Sequence, residues 1–298
     1  MSRWSYGARV ATVRLPFGAE TVVVDGAEVR AGDPLARGTH YRATRRIHAA
    51  KALACAPDAV RGLLRVAVGE RVRAGAILAR AGRRFPRAIV AAEDARVVHL
   101  GVDGVLHLGS VSGEWLARAP LDGVVRHADA DRVDVAGECW SLDAFAAFGP
   151  TRAGLLEIAV PDPAADLAPA RLDAALAGRL LVGGARASGE ALTRAHAVGA
   201  AGIVAAAASF RALEPVYGET VSAFGAPMYE DAPTLLVLAG FGRAPFDREL
   251  FERLVALAGE RAAIDGGSAT LHVFAGPNAS RPLERAPLAL DEDLGGVR

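Results

Sequence analysis

Hydrophobic positions along the chain change their period twice. Up to about residue 45 they fall in short runs such as Val22-Val23-Val24, broken by Asp25-Gly26 and Gly32-Asp33-Pro34, which reads as β-strand. Residues 47–64, rich in alanine and leucine, read as helix, with Pro57-Asp58 placed to restart a second short one. From Leu63 the strand pattern returns and runs to about Val135, with turns at Gly69, Gly75, Gly101–Gly104, Gly109, Gly113 and Asp122-Gly123. Within it Asp131-Arg-Val-Asp-Val135 alternates polar and apolar residues cleanly. The Pro/Ala-rich stretch 160–169 marks a boundary, beyond which strands and helices alternate. Arg179–Val182 reads as a strand, followed by a helix that Ser188 caps and Gly199 stops. Gly202–Ala206 is the next strand, Ser209–Val216 a short helix and Thr234–Leu238 a third strand. Asp247 caps a helix over Arg248–Gly259 whose Phe251, Leu254, Val255 and Ala258 share one face.

This alternation predicts parallel strands with crossover helices. The expected fold class is α+β, with a β-rich domain over 1–150 that has a short helical insert near 47–64. An α/β domain with a mostly parallel sheet follows over 151–275. The tail, 276–298, is expected to be partly disordered.

One eleven-residue pattern, G-x-x-V-R-A-G-x-x-L-A, occurs at Gly26–Ala36 and again forty-three residues later at Gly69–Ala79. Its glycines suit turns of positive φ, and its valine and leucine point inward from the strands between. Ala119-Pro-Leu-Asp-Gly-Val-Val125 is a further β signal. With these motifs, residues 10–135 resemble the barrel-sandwich hybrid of biotinyl and lipoyl domains, and a related N-terminal domain found in an electron-transport complex. The resemblance implies an N-terminal barrel-sandwich hybrid and, in its carrier members, a cofactor-bearing lysine on a hairpin tip. Lys51, the one lysine among 34 Lys+Arg, lies between the two copies in helix-forming sequence with no methionine nearby, which argues against that role.

The second half, with Gly178–Gly184 and Val198-Gly-Ala-Ala-Gly-Ile-Val204, is similar to protease-associated domains. The order of the whole chain is similar to a group of bacterial proteins of unassigned function. In that group two glycine–valine elements precede an α/β domain with a T-E-G-F-G turn and a later N-G-x-T-Q-I-R-A-G element. Here Leu238-Ala-Gly-Phe-Gly242 stands in place of the first, without its polar Thr-Glu pair, and Asp265–Gly276 in place of the second. The resemblance implies an architecture and no activity.

At 298 residues, 52% hydrophobic and 23% charged, the chain is long enough for two cores. Formal net charge is zero and the arginines read as scattered among equal numbers of acids, so neither nucleic acid nor an anionic membrane is expected as a partner. Cys55 and Cys139 have neither disulfide-framework nor zinc spacing. No secretory signal is read at the N-terminus, and no run reaches the ~20 apolar residues of a membrane helix. A cytoplasmic protein is expected.

Candidate chemistry centres on two strand ends. Gly183, Gly184, Arg186 and Ser188 stand at a strand-to-helix junction, where backbone N–H groups and a helix N-terminus favour an anion. The GxGxxG spacing and the lysine of a P-loop are absent. Gly240, Gly242 and Arg243 follow the third strand, and parallel pairing brings them to the same sheet edge. These seven residues form the candidate ligand site. No catalytic residue, metal or cofactor is assigned. The histidines (His40, His48, His99, His107, His127, His196, His272) lack ligand spacing, and Ser110, Ser112 and Ser141 lie in no nucleophile elbow. Glu157, Asp162, Asp166 and Asp173 read as solvated surface, and Asp231, Asp247 and Glu249 as turn and cap residues. The expected function is a non-catalytic binding or scaffold protein that docks a protein partner or a small ligand. One alternative is an enzyme or binding protein with an anion site at the sheet edge. The other is a biotin or lipoate carrier modified at Lys51.

Overall fold

The computed structural model describes residues 4–16, 19–82, 86–217 and 232–279. Most of the tail expected to be disordered, from 280 on, lies outside the described residues, as does Asp231. So do the side chains of His40, Ser110 and Ser112.

The strands β1 (Trp4–Arg14) and β2 (Glu20–Thr21) lead into the first copy of the repeat. There Gly26 and Gly32, at φ 83° and 96°, flank β3 (Glu28–Val29) and precede β4 (Pro34–His48). The predicted helix over 47–64 forms in pieces. β4 runs on to His48, and α1 (Ala49–Leu53) and α2 (Val60–Leu63) are separated by a turn of 3-10 helix that begins at Pro57. In the second copy Gly69 and Gly75, at φ 93° and 86°, flank β5 (Arg71–Val72) and precede β6 (Ile77–Ala81). β7 (Arg87–Val90), β8 (Ala95–Leu100), β9 (Val105–Arg118), β10 (Gly123–Ala128) and β11 (Arg132–Asp143) follow.

The two copies agree bond for bond. Gly26 N donates to Val125 O and Gly69 N to Val97 O, while Gly32 N donates to Ala119 O and Gly75 N to Ala91 O. Ala31 N donates to Asp122 Oδ1 at 2.7 Å and Ala74 N to Asp94 Oδ1 at 2.8 Å. Glycine alone holds these φ values without strain. Val29 and Val72, Leu35 and Leu78 are all buried, as the pattern requires.

The copies do not share a core. β4 and β9 pair antiparallel from Pro34↔Arg118 to His48↔Val105, a ribbon of about 45 Å at ~3.3 Å per residue. The first copy sits at its base, where Leu35 packs with Leu121, Val133 and Val135. The second sits at the far end, where Leu78 packs with Val97, Leu106 and Leu53. The ribbon is therefore an arm, and the second copy is its tip.

The rest of the chain forms β12 (Ala146–Phe148), β13 (Arg152–Ile158), β14 (Arg179–Val182) and β15 (Arg186–Ala187). Then come α3 (Gly189–Ala197), β16 (Gly202–Ala208), α4 (Glu214–Tyr217), β17 (Thr234–Phe241) and α5 (Arg248–Ala256), with β18 (Arg261–Asp265) and β19 (Thr270–Val273) last. α3 and α5 start where their caps predict: Ser188 accepts from Ala191 N, and Asp247 from Leu250 N. They bury Leu192, Phe251 and Leu254 in the main core.

The expected fold class is not the one observed. Among the described residues strand makes up 46% and helix only 16%, and a mixed sheet of twelve strands, beside smaller sheets of five and two, stands in place of a mostly parallel α/β sheet. Its order is β12-β17-β16-β14-β13-β18-β19-β11-β10-β3, with β1 on β11 and β15 on β16. Pairing is parallel only from β13 through β14 and β16 to β17, and at β15. The hairpin β18–β19 runs antiparallel to β13, and β11 then pairs with β19. Strands from both halves of the chain thereby join one sheet. Among the described residues, no helix is long and apolar enough to cross a membrane.

The same sheet closes on itself. β11 pairs with β19 as far as Asp143↔Thr270. Two residues later Phe145 N donates to Val237 O at 2.9 Å, and β12 pairs with β17 at the opposite edge. A nearly continuous stretch, 132–148, thus ties both edges together and brings β11 round to face β16 and β17.

Candidate functional site

The structure brings the predicted sheet-edge residues together. Arg186 of β15 pairs with Ala207, which pairs in turn with Gly240, and Gly242 N donates to Ala208 O at 2.9 Å. The edge they form is covered by residues 160–167. Ala185 N donates to Ala165 O at 2.8 Å, Leu167 N to Arg186 O at 3.0 Å, and Asp166 bridges to Gly184. Leu167, only 2% exposed, lies against Gly183, and the space beside Gly184 is filled by Ala165 O and Val160. Ser188 acts as the cap of α3.

Both candidate arginines close on one carboxylate. Asp166 Oδ2 lies 2.9 Å from Arg186 Nη2, and its Oδ1 accepts from Arg243 Nε at 3.1 Å. Arg243 Nη2 also donates to Ala164 O at 2.9 Å. A carboxylate of the chain's own therefore sits where the sequence places an external anion. All three side chains are partly exposed, so the triad is worth on the order of 1 kcal/mol. Lys51 lies on α1, exposed to solvent.

Sequence reasoning missed a cleft of about 460 Å³ between the sheet and the start of α5. Its walls are Trp4 and Trp140, Ala206, Leu238, Ala239, Pro245 and Leu250. Closure of the sheet assembles it, because it carries β1 and β11 across to β16 and β17. Trp4 and Trp140 stack with ring centroids 5.3 Å apart and planes at 11°, and Tyr6 tilts against Trp140 at 5.4 Å. Asp247, Glu249 and Arg253 form a polar rim. Arg253 donates to Glu249 at 2.6 Å, and Asp247 caps α5, so the rim's charges are largely satisfied. The volume is within the usual range for small-ligand sites, about 300–1,000 Å³.

It also missed a buried polar cluster. Ser141 on β11 lies directly opposite His272 on β19, with Ser141 Oγ 3.1 Å from His272 Nδ1. Cys139 Sγ lies 3.4 Å from Ser141 Oγ and 3.6 Å from His272 Nδ1. Such a triad has the elements of nucleophilic catalysis, but its environment disables them. Burial pushes the His272 pKa down to about 4 and the Cys139 thiol up, so the pair is neutral imidazole and thiol. His272 Nε2 is buried with no partner among the described residues. An orphaned N–H there costs more than an orphaned lone pair, which puts the proton on Nδ1. The ring then donates to Ser141 instead of accepting its proton. The cluster holds β11 against β19.

Phe145, Phe210 and Phe241 are 61%, 56% and 48% exposed and meet with centroids 5.5 to 6.0 Å apart. They lie beside the ends of β16 and β17. Among the described residues, no group of His, Cys, Asp or Glu could hold a metal ion. No protein-family model matches the chain, and no curated protein matches it either.

Proposed function

We propose that this is a binding protein that takes a small, apolar ring-shaped ligand into the cleft behind Trp4. The observation that carries this reading is the cleft itself, an aromatic and aliphatic hollow of about 460 Å³ with a tryptophan pair as one wall. Rigid indole faces lose little entropy on binding and offer a large apolar area to a ring stacked against them. The rim supplies hydrogen-bonding groups whose charges are already paired, which favours an uncharged ring over a free ion. The sheet edge is the weaker candidate, since Asp166 already occupies both of its arginines.

N-phenyl-1-naphthylamine, an uncharged aromatic probe that accepts energy from tryptophan, tests the reading on the full-length protein. Saturable quenching of tryptophan emission is expected. Trp4→Ala and Leu238→Gln should each weaken it about tenfold, the loss of roughly 1.4 kcal/mol of ring contact. Trp115→Phe, at the base of the arm and outside the cleft, should leave the affinity unchanged. Equal binding by all three variants would refute the assignment.

A further inference from the structure

The near-neutral total conceals an uneven distribution of charge. Residues 37–118, which make the arm, hold 15 Lys+Arg against 6 Asp+Glu, while the rest of the chain holds 19 against 28. Residues 37–118 therefore have a surplus of nine positive charges and the rest of the chain nine negative ones, of which the described residues of the body supply six, with 21 Asp+Glu against 15 Lys+Arg. The arginines are not scattered evenly among the acids, as the total alone suggests.

On the body, Arg186 and Arg243 share Asp166, Arg253 holds Glu249, and Arg261 holds Asp122 at 2.7 Å. On the arm, Arg45, Arg46, Arg61, Arg65, Arg71 and Arg73 are all exposed. None of these six forms an ion pair among the described residues. Exposed arginines without an ion pair among the described residues occur on the body too, at Arg14, Arg30, Arg126, Arg171 and Arg248, but there they lie among an excess of acids. Cations left without local counter-charges on a projecting element create a field that only an external partner can neutralise.

We propose that the arm is an interaction surface and that its partner is the acidic body of a second copy of this chain. Charge complementarity selects this occupant. A polyanion such as nucleic acid would satisfy the arm but be repelled by a body whose described residues carry six excess negative charges. A second copy neutralises both regions in one contact. The ribbon, about 45 Å long, gives the arm the reach to lie along a neighbouring body. Reciprocal placement, arm to body in both directions, closes the contact as a twofold dimer.

Sedimentation velocity of the full-length protein tests this across ionic strength. At about 10 mM salt, where charges act over ~30 Å, the sedimenting mass should double, and at about 1 M, where they act over ~3 Å, it should return to that of one chain. Arg45→Gln with Arg46→Gln, and Arg71→Gln with Arg73→Gln, alter exposed side chains only and should abolish the doubling at low salt. A single-chain mass at every salt concentration overturns the proposal. So does doubling that survives both pairs of substitutions, which would place the contact elsewhere. A chain that stays single at low salt yet binds a duplex DNA probe through the arm overturns it in favour of a polyanion partner. The salt series on the unaltered protein stands whether or not the variants fold.

Discussion

His272 lies in β19 opposite Ser141, 5% exposed, and burial holds its pKa at about 4. In the unfolded chain the same imidazole titrates near 6.5. Between these values the unfolded state binds a proton that the folded state refuses. Stability should therefore fall as pH drops from about 6.5 to about 4, by about 3 kcal/mol in total, with no further loss from this group below that window. Urea denaturation at pH 7 and pH 4.5 measures the difference. His272→Gln should remove most of it, and an undiminished slope in that variant would assign the effect to another group. Nothing in the sequence announces this cluster. Ser141 and His272 are 131 residues apart, and only the register of β11 against β19 makes them neighbours. The caps were legible because they act locally: Ser188 and Asp247 each serve an N–H three residues on.

At the scale of elements, the repeat encoded more than a turn. It prescribed the same backbone hydrogen bonds to a partner segment in both copies, around Val125 in one and Val97 in the other. What it did not prescribe was where each copy would pack. The first is docked on the body: Ala31 is only 7% exposed, Arg261 reaches Asp122, and a Cβ at Gly32 would come within 3.2 Å of the Ala153 side chain. At the equivalent positions of the tip, Ala74, Gly75 and Asp94 are exposed. Because the cores are separate, core truncations should act locally. Leu35→Ala and Leu78→Ala each remove a fully buried side chain, at a cost of about 2–5 kcal/mol. Hydrogen exchange should show Leu78→Ala opening α1, β5 and β8 while β16 and β17 keep their protection, and Leu35→Ala weakening β3, β10 and β11. Loss of protection throughout in the Leu78 variant would mean that the two cores act as one. Five strands were left unread by the sequence, β12, β13, β15, β18 and β19; all but β13 span five residues or fewer, and β18 and β19 bury the polar residues Asp265, Thr270 and His272. Those polar residues interrupt the apolar run that would have marked them.

For the molecule as a whole, the arm leaves and re-enters the body at one point, where Pro34 pairs with Arg118 and Gly32 N bonds to Ala119 O. Gly38 and Trp115 face each other just above it, the indole lying over the glycine. Replacing residues 39–114 by an Asn-Gly turn joins two strands already in hairpin register. The shortened chain should fold cooperatively and keep the tryptophan cleft, read by near-ultraviolet circular dichroism and a single melting transition. Failure to fold would show that the arm is needed for the body to form. The joining of β11 to β12 has one last consequence. β17 would otherwise offer its backbone as a template to any passing strand, but three residues from the chain's own far side occupy that place at Leu235–Val237. Crowding such molecules together gives them little opportunity to grow into fibres at this rim, so contact made there through side chains alone can be undone.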